Sequence, residues 1–301
     1  MNYQQLSKTL AEAKDSYGKA LYDEHEARAI VRVFLEDYHG FTLSDIFSGR
    51  SVEPDAEVWG KILSGMPIQY AVGRALFFGR YFAVRKGVLI PRPETEELCE
   101  WIIGESNNTD SILDIGSGSG CIAVTLALET GAEVTAWDIA DTALATTLEN
   151  ALALGAKVNV EKRDALNISM ERHDALNSGA TDRRWDTIVS NPPYICHKEK
   201  AAMEHNVLDY EPSLALFVPD DDPLLFYRAI ARYATHTLLP GGRLYFEINP
   251  LYAKDLVEML AKEGFTDITL RNDLYGRQRM IRGTKVNDRQ SKYEKNAFFL
   301  R

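Results

Sequence analysis

Cysteine is scarce in this chain. Cys99, Cys121 and Cys196 are its only three, with no C-x-x-C pair and no histidine at zinc spacing. Neither a disulfide framework nor a metal site is expected, and a reducing compartment is. Long apolar runs are missing too. Runs such as Cys121 to Leu128 and Leu238 to Pro240 fall far short of the ~20 residues a membrane span needs. No basic stretch followed by an apolar core opens the sequence, so no secretory signal is read and a cytoplasmic protein without a membrane partner is expected. Positive charge is in deficit, with 34 Lys and Arg against 44 Asp and Glu, a net charge of -10. An acidic chain repels phosphate backbones, so direct nucleic-acid binding is not expected. Internal repeats are absent.

What is present is ordinary globular composition, 45% hydrophobic and 26% charged over 301 residues. At about 150 residues per domain this length suggests two domains, or one with an appendage. Residues 2–66 carry helical spacing: Leu6, Leu10 and Ala13, then Ala27, Ile30, Val31, Phe34, Leu35 and Tyr38. Gly40 fits a helix stop, Thr42 with Asp45 a capped short helix, and Pro54 to Leu63 another. Four or five short helices in a bundle (1–66) follow. Residues 67–90 read as a linking hairpin, with Gln69, Tyr70 and Val72 in one strand and Phe77 to Val84 in the other. Pro91-Arg92-Pro93-Glu94-Thr95-Glu96 then starts a helix running to about Gly104.

From Ser111 strands and helices alternate. Strands are expected at Ser111 to Ile115, Glu133 to Asp138, Lys157 to Glu161, Thr187 to Ser190 and Arg243 to Ile248. Helices are expected at Cys121 to Glu129, Asp141 to Leu154, Pro223 to Leu238 and Tyr252 to Glu263. Such alternation builds an α/β domain (91–283) around a doubly wound parallel sheet. Asp267 to Leu270 and Arg279 to Arg282 have no helix between them, so their pairing should be antiparallel. Residues 284–301 form a tail ending Phe298-Phe299-Leu300-Arg301, either loose or docked through its two Phe.

Asp114-Ile115-Gly116-Ser117-Gly118-Ser119-Gly120 follows the first of these strands and opens a helix. Such a loop lets backbone approach a ligand at the carboxyl end of the sheet. The glycines alternate, and Cys121 stands where a dinucleotide fingerprint needs its third glycine. Asp114 suits a cationic group such as an amino acid ammonium. Asp138, at the end of the second strand, can accept both hydroxyls of a ribose. Ribose plus an ammonium-bearing tail without phosphate describes S-adenosyl-L-methionine. The rival reading is a tight turn with two capping acids, and the position of Asp138 weighs against it. Trp137 reads as core in preference to an adenine stack. Asp164 fits two roles equally, a turn cap and a contact to the adenine amino group.

Ser190-Asn191-Pro192-Pro193-Tyr194 follows the fourth strand. Two prolines end the ladder and fix the backbone, so the Pro192 carbonyl is aimed. The Asn191 side chain adds a second acceptor, and Tyr194 an aromatic wall. Two aimed acceptors suit a planar NH2 whose delocalised lone pair must be turned toward an incoming methyl group. Taken alone the motif is an ordinary turn; after the fourth strand of a chain with this glycine loop it is a clamp.

With these motifs, residues 65–282 resemble the protein-(glutamine-N5) methyltransferases that modify peptide chain release factors. Further shared segments are Pro67-Ile68-Gln69-Tyr70, Leu89 to Glu96, Asn206-Val207-Leu208, Tyr210-Glu211-Pro212, Gly241-Gly242, Phe246-Glu247-Ile248 and Gly276-Arg277-Gln278-Arg279. Pro91 to Glu96 separates this family from other methyltransferases. The resemblance implies a Rossmann-like class I S-adenosylmethionine-dependent fold with a small N-terminal helical domain that docks substrate. It implies cofactor contacts from Gly116 to Gly120, Asp138 and Asn191, and a substrate clamp from Asn191 to Tyr194. It implies class I release factors as protein partners, methylated on the glutamine of a Gly-Gly-Gln loop. Family members often carry an aromatic residue after the third-strand acid, where this chain has Ala165. The alternative is an N6-adenine methyltransferase acting on nucleic acid, since the same clamp takes a flipped base; the acidic charge opposes it.

Overall fold

The computed structural model describes residues 1–15, 17–167 and 183–286. The expected tail residues from 287 onward lie outside them. The chain forms two compact units. The first holds Met1–Ala75, Val84–Lys86 and Met203–Glu211, and the second Leu76–Ala83, Gly87–Ala202 and Pro212–Arg301. The expected break at residue 66 thus falls inside the first unit.

Five helices build most of the first unit: α1 (Tyr3–Ala11), α2 (Glu24–Val33), α3 (Leu43–Phe47), α4 (Ala56–Leu63) and α5 (Ile68–Val72). Their starts are written in side chains. Asn2 with Gln5, and Thr42 with Asp45, form reciprocal capping boxes, and Asp23 and Asp55 cap α2 and α4. Leu6, Leu10, Ala27, Val31, Phe34 and Ile62 are wholly buried in one core. Each large aliphatic so buried contributes about 1.5–3 kcal/mol. Residues 68–72 are the correction here: they form α5 where a strand was expected. Ile68 and Ala71, three apart, enter that core, and Gly73 in the left-handed region ends the helix. Packing overrode the strand-like composition. The hairpin is shorter than expected, β1 (Arg74–Phe77) and β2 (Arg80–Ala83), turning on Phe78 and Gly79 at φ 49 and 71°.

The second unit begins its α/β part with α6 (Pro93–Ile103) and β3 (Ser111–Ile115). It continues with α7 (Cys121–Thr130), β4 (Glu133–Asp138), α8 (Asp141–Leu154), β5 (Val158–Lys162) and β6 (Trp185–Ser190). After β6 come a short parallel pair, β7 (Ile195–Cys196) with β8 (Phe217–Val218), and two brief helices, α9 (His205–Tyr210) and α10 (Ser213–Leu216). Of these, α9 belongs to the first unit. None of them was legible in the sequence. Then follow α11 (Leu225–Thr237), β9 (Leu238–Glu247), α12 (Ala253–Lys262), β10 (Phe265–Asn272) and β11 (Gln278–Lys285).

Seven strands form one sheet in the order β10-β11-β9-β6-β3-β4-β5. β3, β4, β5, β6 and β9 run parallel; β11 is antiparallel to β10, as expected, and it inserts antiparallel beside β9 as well. Apolar layers cover both faces. Leu98, Ile102, Val124 and Leu126 pack on one; Tyr227, Ile230, Leu256 and Leu260 pack on the other. β9 starts five residues before its expected position because it bends through Pro240-Gly241-Gly242. A Cβ at Gly242 would sit 2.9 Å from the Leu239 carbonyl oxygen, so only glycine fits. The chain order reverses between β3 and β6, which makes the crevice at their carboxyl ends the natural ligand site.

Candidate active site

Ile115 of β3 is paired with Ser190 of β6, and the Ser190 hydroxyl donates to the Ile115 carbonyl at 2.6 Å. The glycine loop and the Asn-Pro-Pro-Tyr segment therefore leave neighbouring strands side by side. No local pattern in the sequence reveals this adjacency.

The loop is held by backbone and by α8. Gly116 and Ser117 N–H groups donate to the Trp137 carbonyl at 2.8 and 2.9 Å. Gly118 N–H donates to Asp138 Oδ2 at 2.9 Å, while Ala140 N–H donates to Asp138 Oδ1 at 2.9 Å. Thr147 and Asn150 of α8 donate to the carbonyls of Gly118 and Ser119 at 3.2 and 2.8 Å. At Gly120, φ is +78° and a Cβ would lie 2.9 Å from Thr147 Cγ2, so close packing on α8 and the backbone both demand glycine. At Gly116 and Gly118 a Cβ would meet no protein atom within 4 Å. There a side chain would instead project beside a cavity of about 260 Å³.

That cavity unites most of the residues singled out from sequence. Gly116, Ser117, Gly118, Ser119, Asp138, Asp164, Ala165, Asn191, Pro192 and Pro193 all line it. Asp114, Gly120 and Tyr194 do not. Asp114 lies wholly buried behind the loop, where Oδ2 accepts from Ala123 N–H at 3.2 Å and Oδ1 has no partner among the described residues. Burial pushes its carboxyl from 3.8 up to about 7, with the Asp138 charge adding to the rise. Trp137 is core, edge-on to Trp185. Asp164 closes its own turn through Leu166 N–H at 2.9 Å, and still faces the cavity.

The Leu89–Glu96 segment connects the pieces. Leu89 to Arg92 line the cavity, and Thr95 sits in the first turn of α6. Glu96 accepts from Phe78 N–H at 2.9 Å and pins the hairpin turn. Thr95 Oγ1 donates to Glu247 Oε2 at 2.5 Å and accepts from Asn191 Nδ2 at 3.4 Å. Tyr194 OH donates to Glu247 Oε1 at 3.1 Å. Burial raises the Glu247 carboxyl, with these two hydroxyls and Arg279 pulling it back. The Tyr194 hydroxyl is pushed above its usual range by burial and by Glu247. Tyr194 is thus a packed strut, its phenol spent on Glu247.

Sequence reading missed Thr95 and Glu247 as partners of the clamp, and Thr147 and Asn150 as supports of the loop. It also missed the apolar wall given by Leu214, Phe226 and Ile230. Phe226 and Ile230 stand one helical turn apart on α11, a signal indistinguishable from ordinary core spacing. Among the described residues no group of His, Cys, Asp and Glu is arranged to hold a metal, and no helix is long and apolar enough to cross a membrane.

The family model for the methyltransferase small domain matches residues 102–210. The release factor glutamine methyltransferase of Flavobacterium psychrophilum is 42% identical over 287 residues, covering 90% of this chain and 95% of that protein. Its namesake from Bacteroides thetaiotaomicron is 40% identical over 269 residues, covering 87% and 94%. Among solved structures, the release factor-specific protein-(glutamine-N5) methyltransferase of Alicyclobacillus acidocaldarius aligns at 26% identity over 65% of this chain and 94% of that one, with a TM-score of 0.40. The doubly wound sheet has the class I methyltransferase architecture that the motifs led one to expect. Likeness of this extent along nearly the whole of both chains places the protein in the release factor glutamine methyltransferase family.

Proposed function

We propose that this enzyme transfers a methyl group from S-adenosyl-L-methionine to the side-chain nitrogen of the glutamine in the Gly-Gly-Gln loop of class I release factors. One observation carries the reading: the glycine loop and the Asn-Pro-Pro clamp open from adjacent strands into a single cavity. The residues present fit the cofactor. Side-chain-free positions at Gly116 and Gly118 leave room for it beside the backbone. Asp138 keeps a lone pair on each oxygen for a ribose diol after accepting its two backbone N–H groups. Leu214, Phe226 and Ile230 offer an apolar wall for the adenine in place of the aromatic residue that Ala165 does not supply.

When bound, the cofactor supplies an electrophilic methyl group on a sulfonium. This chain's residues prepare the nucleophile. An amide nitrogen is weak because its lone pair is shared with the carbonyl. Asn191 Oδ1 and the Pro192 carbonyl accept its two N–H bonds, which turns the lone pair out of conjugation and along the line of attack. Fixed acceptors also stabilise positive charge as it develops on that nitrogen. The N-protonated amide so formed is acidic enough to release its extra proton to water, so no strong base is required. The helical unit of residues 1–75 supplies docking surface for the folded partner, with Phe47 of α3 largely exposed.

The test is mass spectrometry of a release factor incubated with the enzyme and labelled cofactor, with duplex and single-stranded DNA in the same tube. A single methyl on the Gly-Gly-Gln glutamine is expected. Label in adenine and none in the release factor would instead establish the nucleic-acid reading.

A further inference from the structure

Asn191 can serve as an acceptor only if its carbonyl end faces the substrate. Turned by half a rotation, its amide would offer NH2 to NH2. The site therefore needs something that tells the two ends of Asn191 apart, and nothing in the Asn-Pro-Pro-Tyr segment does so.

We infer that Thr95 and Glu247 are positioning residues that set the orientation of the Asn191 amide through a one-way hydrogen-bond relay. This inference rests on the proposed role of Asn191 as an acceptor. The relay begins at Glu247, at the end of β9, whose side chain is 2% exposed. A carboxylate only accepts. Both of its oxygens receive hydroxyls, Oε2 from Thr95 at 2.5 Å and Oε1 from Tyr194 at 3.1 Å. Burial raises its carboxyl, and the Thr95 hydroxyl, the Arg279 guanidinium and the Tyr194 hydroxyl each favour its ionised form. Thr95, also 2% exposed, has one hydrogen and has spent it on Glu247. It therefore presents only lone pairs toward Asn191. Nδ2 donates to them at 3.4 Å. The flipped amide would set oxygen against oxygen at that distance. With Nδ2 committed inside, Oδ1 is left as the open end at the cavity.

Three elements far apart in sequence meet here: the first turn of α6, the end of β6 and the end of β9. The threonine and the acid reach the substrate through Asn191.

The test compares Thr95→Val, which keeps the shape and removes the hydroxyl, with Thr95→Ser, which keeps the hydroxyl. Thermal melting and cofactor calorimetry verify that each variant is folded and loaded. Thr95→Val should lower kcat on release factor by roughly tenfold, the value of one lost orienting hydrogen bond. Cofactor Kd should stay within about twofold, and Thr95→Ser should recover most of the turnover. A folded Thr95→Val protein with unchanged kcat, or a Thr95→Ser protein as slow as Thr95→Val, overturns the relay. A second readout does not depend on the acceptor. In wild-type protein labelled with 15N, the Asn191 side-chain NH2 should show a nuclear Overhauser contact to the Thr95 methyl group; its absence overturns the inference. Should wild-type enzyme leave release factor unmodified, the functional reading fails and the spectroscopic contact still decides the orientation.

Discussion

Replacing Asp114 by Asn tests how the buried acid behind the glycine loop is carried. In the unfolded chain its carboxyl ionises near 3.8, and in the fold near 7. The folded state thus holds its proton more tightly. That stabilisation is fully present below pH 3.8 and is lost as pH rises through about 7. Each tenfold change in proton affinity is worth about 1.4 kcal/mol, so the loss between pH 4 and pH 8 amounts to about 4 kcal/mol. Asn cannot ionise, and its carbonyl can still accept from Ala123 N–H. Its NH2 takes the place of the unpartnered Oδ1, at a cost of about 1–3 kcal/mol. Asp114→Asn should therefore be less stable than wild type at pH 4 and more stable at pH 8. Urea unfolding followed by tryptophan fluorescence in a Trp59→Phe background reports the catalytic unit, since Trp101, Trp137 and Trp185 all lie in it. The decisive quantity is the change in the stability difference across this pH range. Parallel curves from pH 5 to 8 would refute the reasoning and show that Asp114 stays ionised or stays neutral throughout.

Other outcomes follow from the same geometry. Asp138→Asn should weaken cofactor binding by roughly 1.5–3 kcal/mol in calorimetry, because one of two backbone N–H donors must then face an NH2; unchanged affinity would remove Asp138 from the ribose. Asn191→Ala should lower turnover about 10²–10³-fold with an unchanged melting temperature, and near-normal rates in a folded variant would show the clamp misread. Gly120→Ala should cost at least about 2 kcal/mol of stability from its positive φ and its clash with Thr147, measured by chemical denaturation. Combined Leu43→Ser and Phe47→Ser changes on the exposed side of α3 should raise KM for intact release factor and leave turnover of a Gly-Gly-Gln peptide unaltered.

The sequence by itself determined the local elements and the chemistry they carry. Ser111–Ile115, Glu133–Asp138 and Asp141–Leu154 have the boundaries their patterns dictate, because each is a short apolar run or a long periodic one closed by glycine or acid. The alternating glycines and the double proline were equally legible, since φ > 0 and a missing N–H are properties of single residues. What depends on contact across the sheet could not be read. Residues 68–72 look like a strand and are a helix because Ile68 and Ala71 meet a core assembled elsewhere. Tyr194 reads as an aromatic wall, and its hydroxyl is tied to Glu247, 53 residues away, a contact no local pattern shows. Thr95 looks like an ordinary first-turn residue and becomes a hinge of the site through a partner 152 residues distant. Local conformation is set by neighbours along the chain, whereas the direction of a hydrogen bond is set by whichever donor or acceptor the tertiary fold brings alongside.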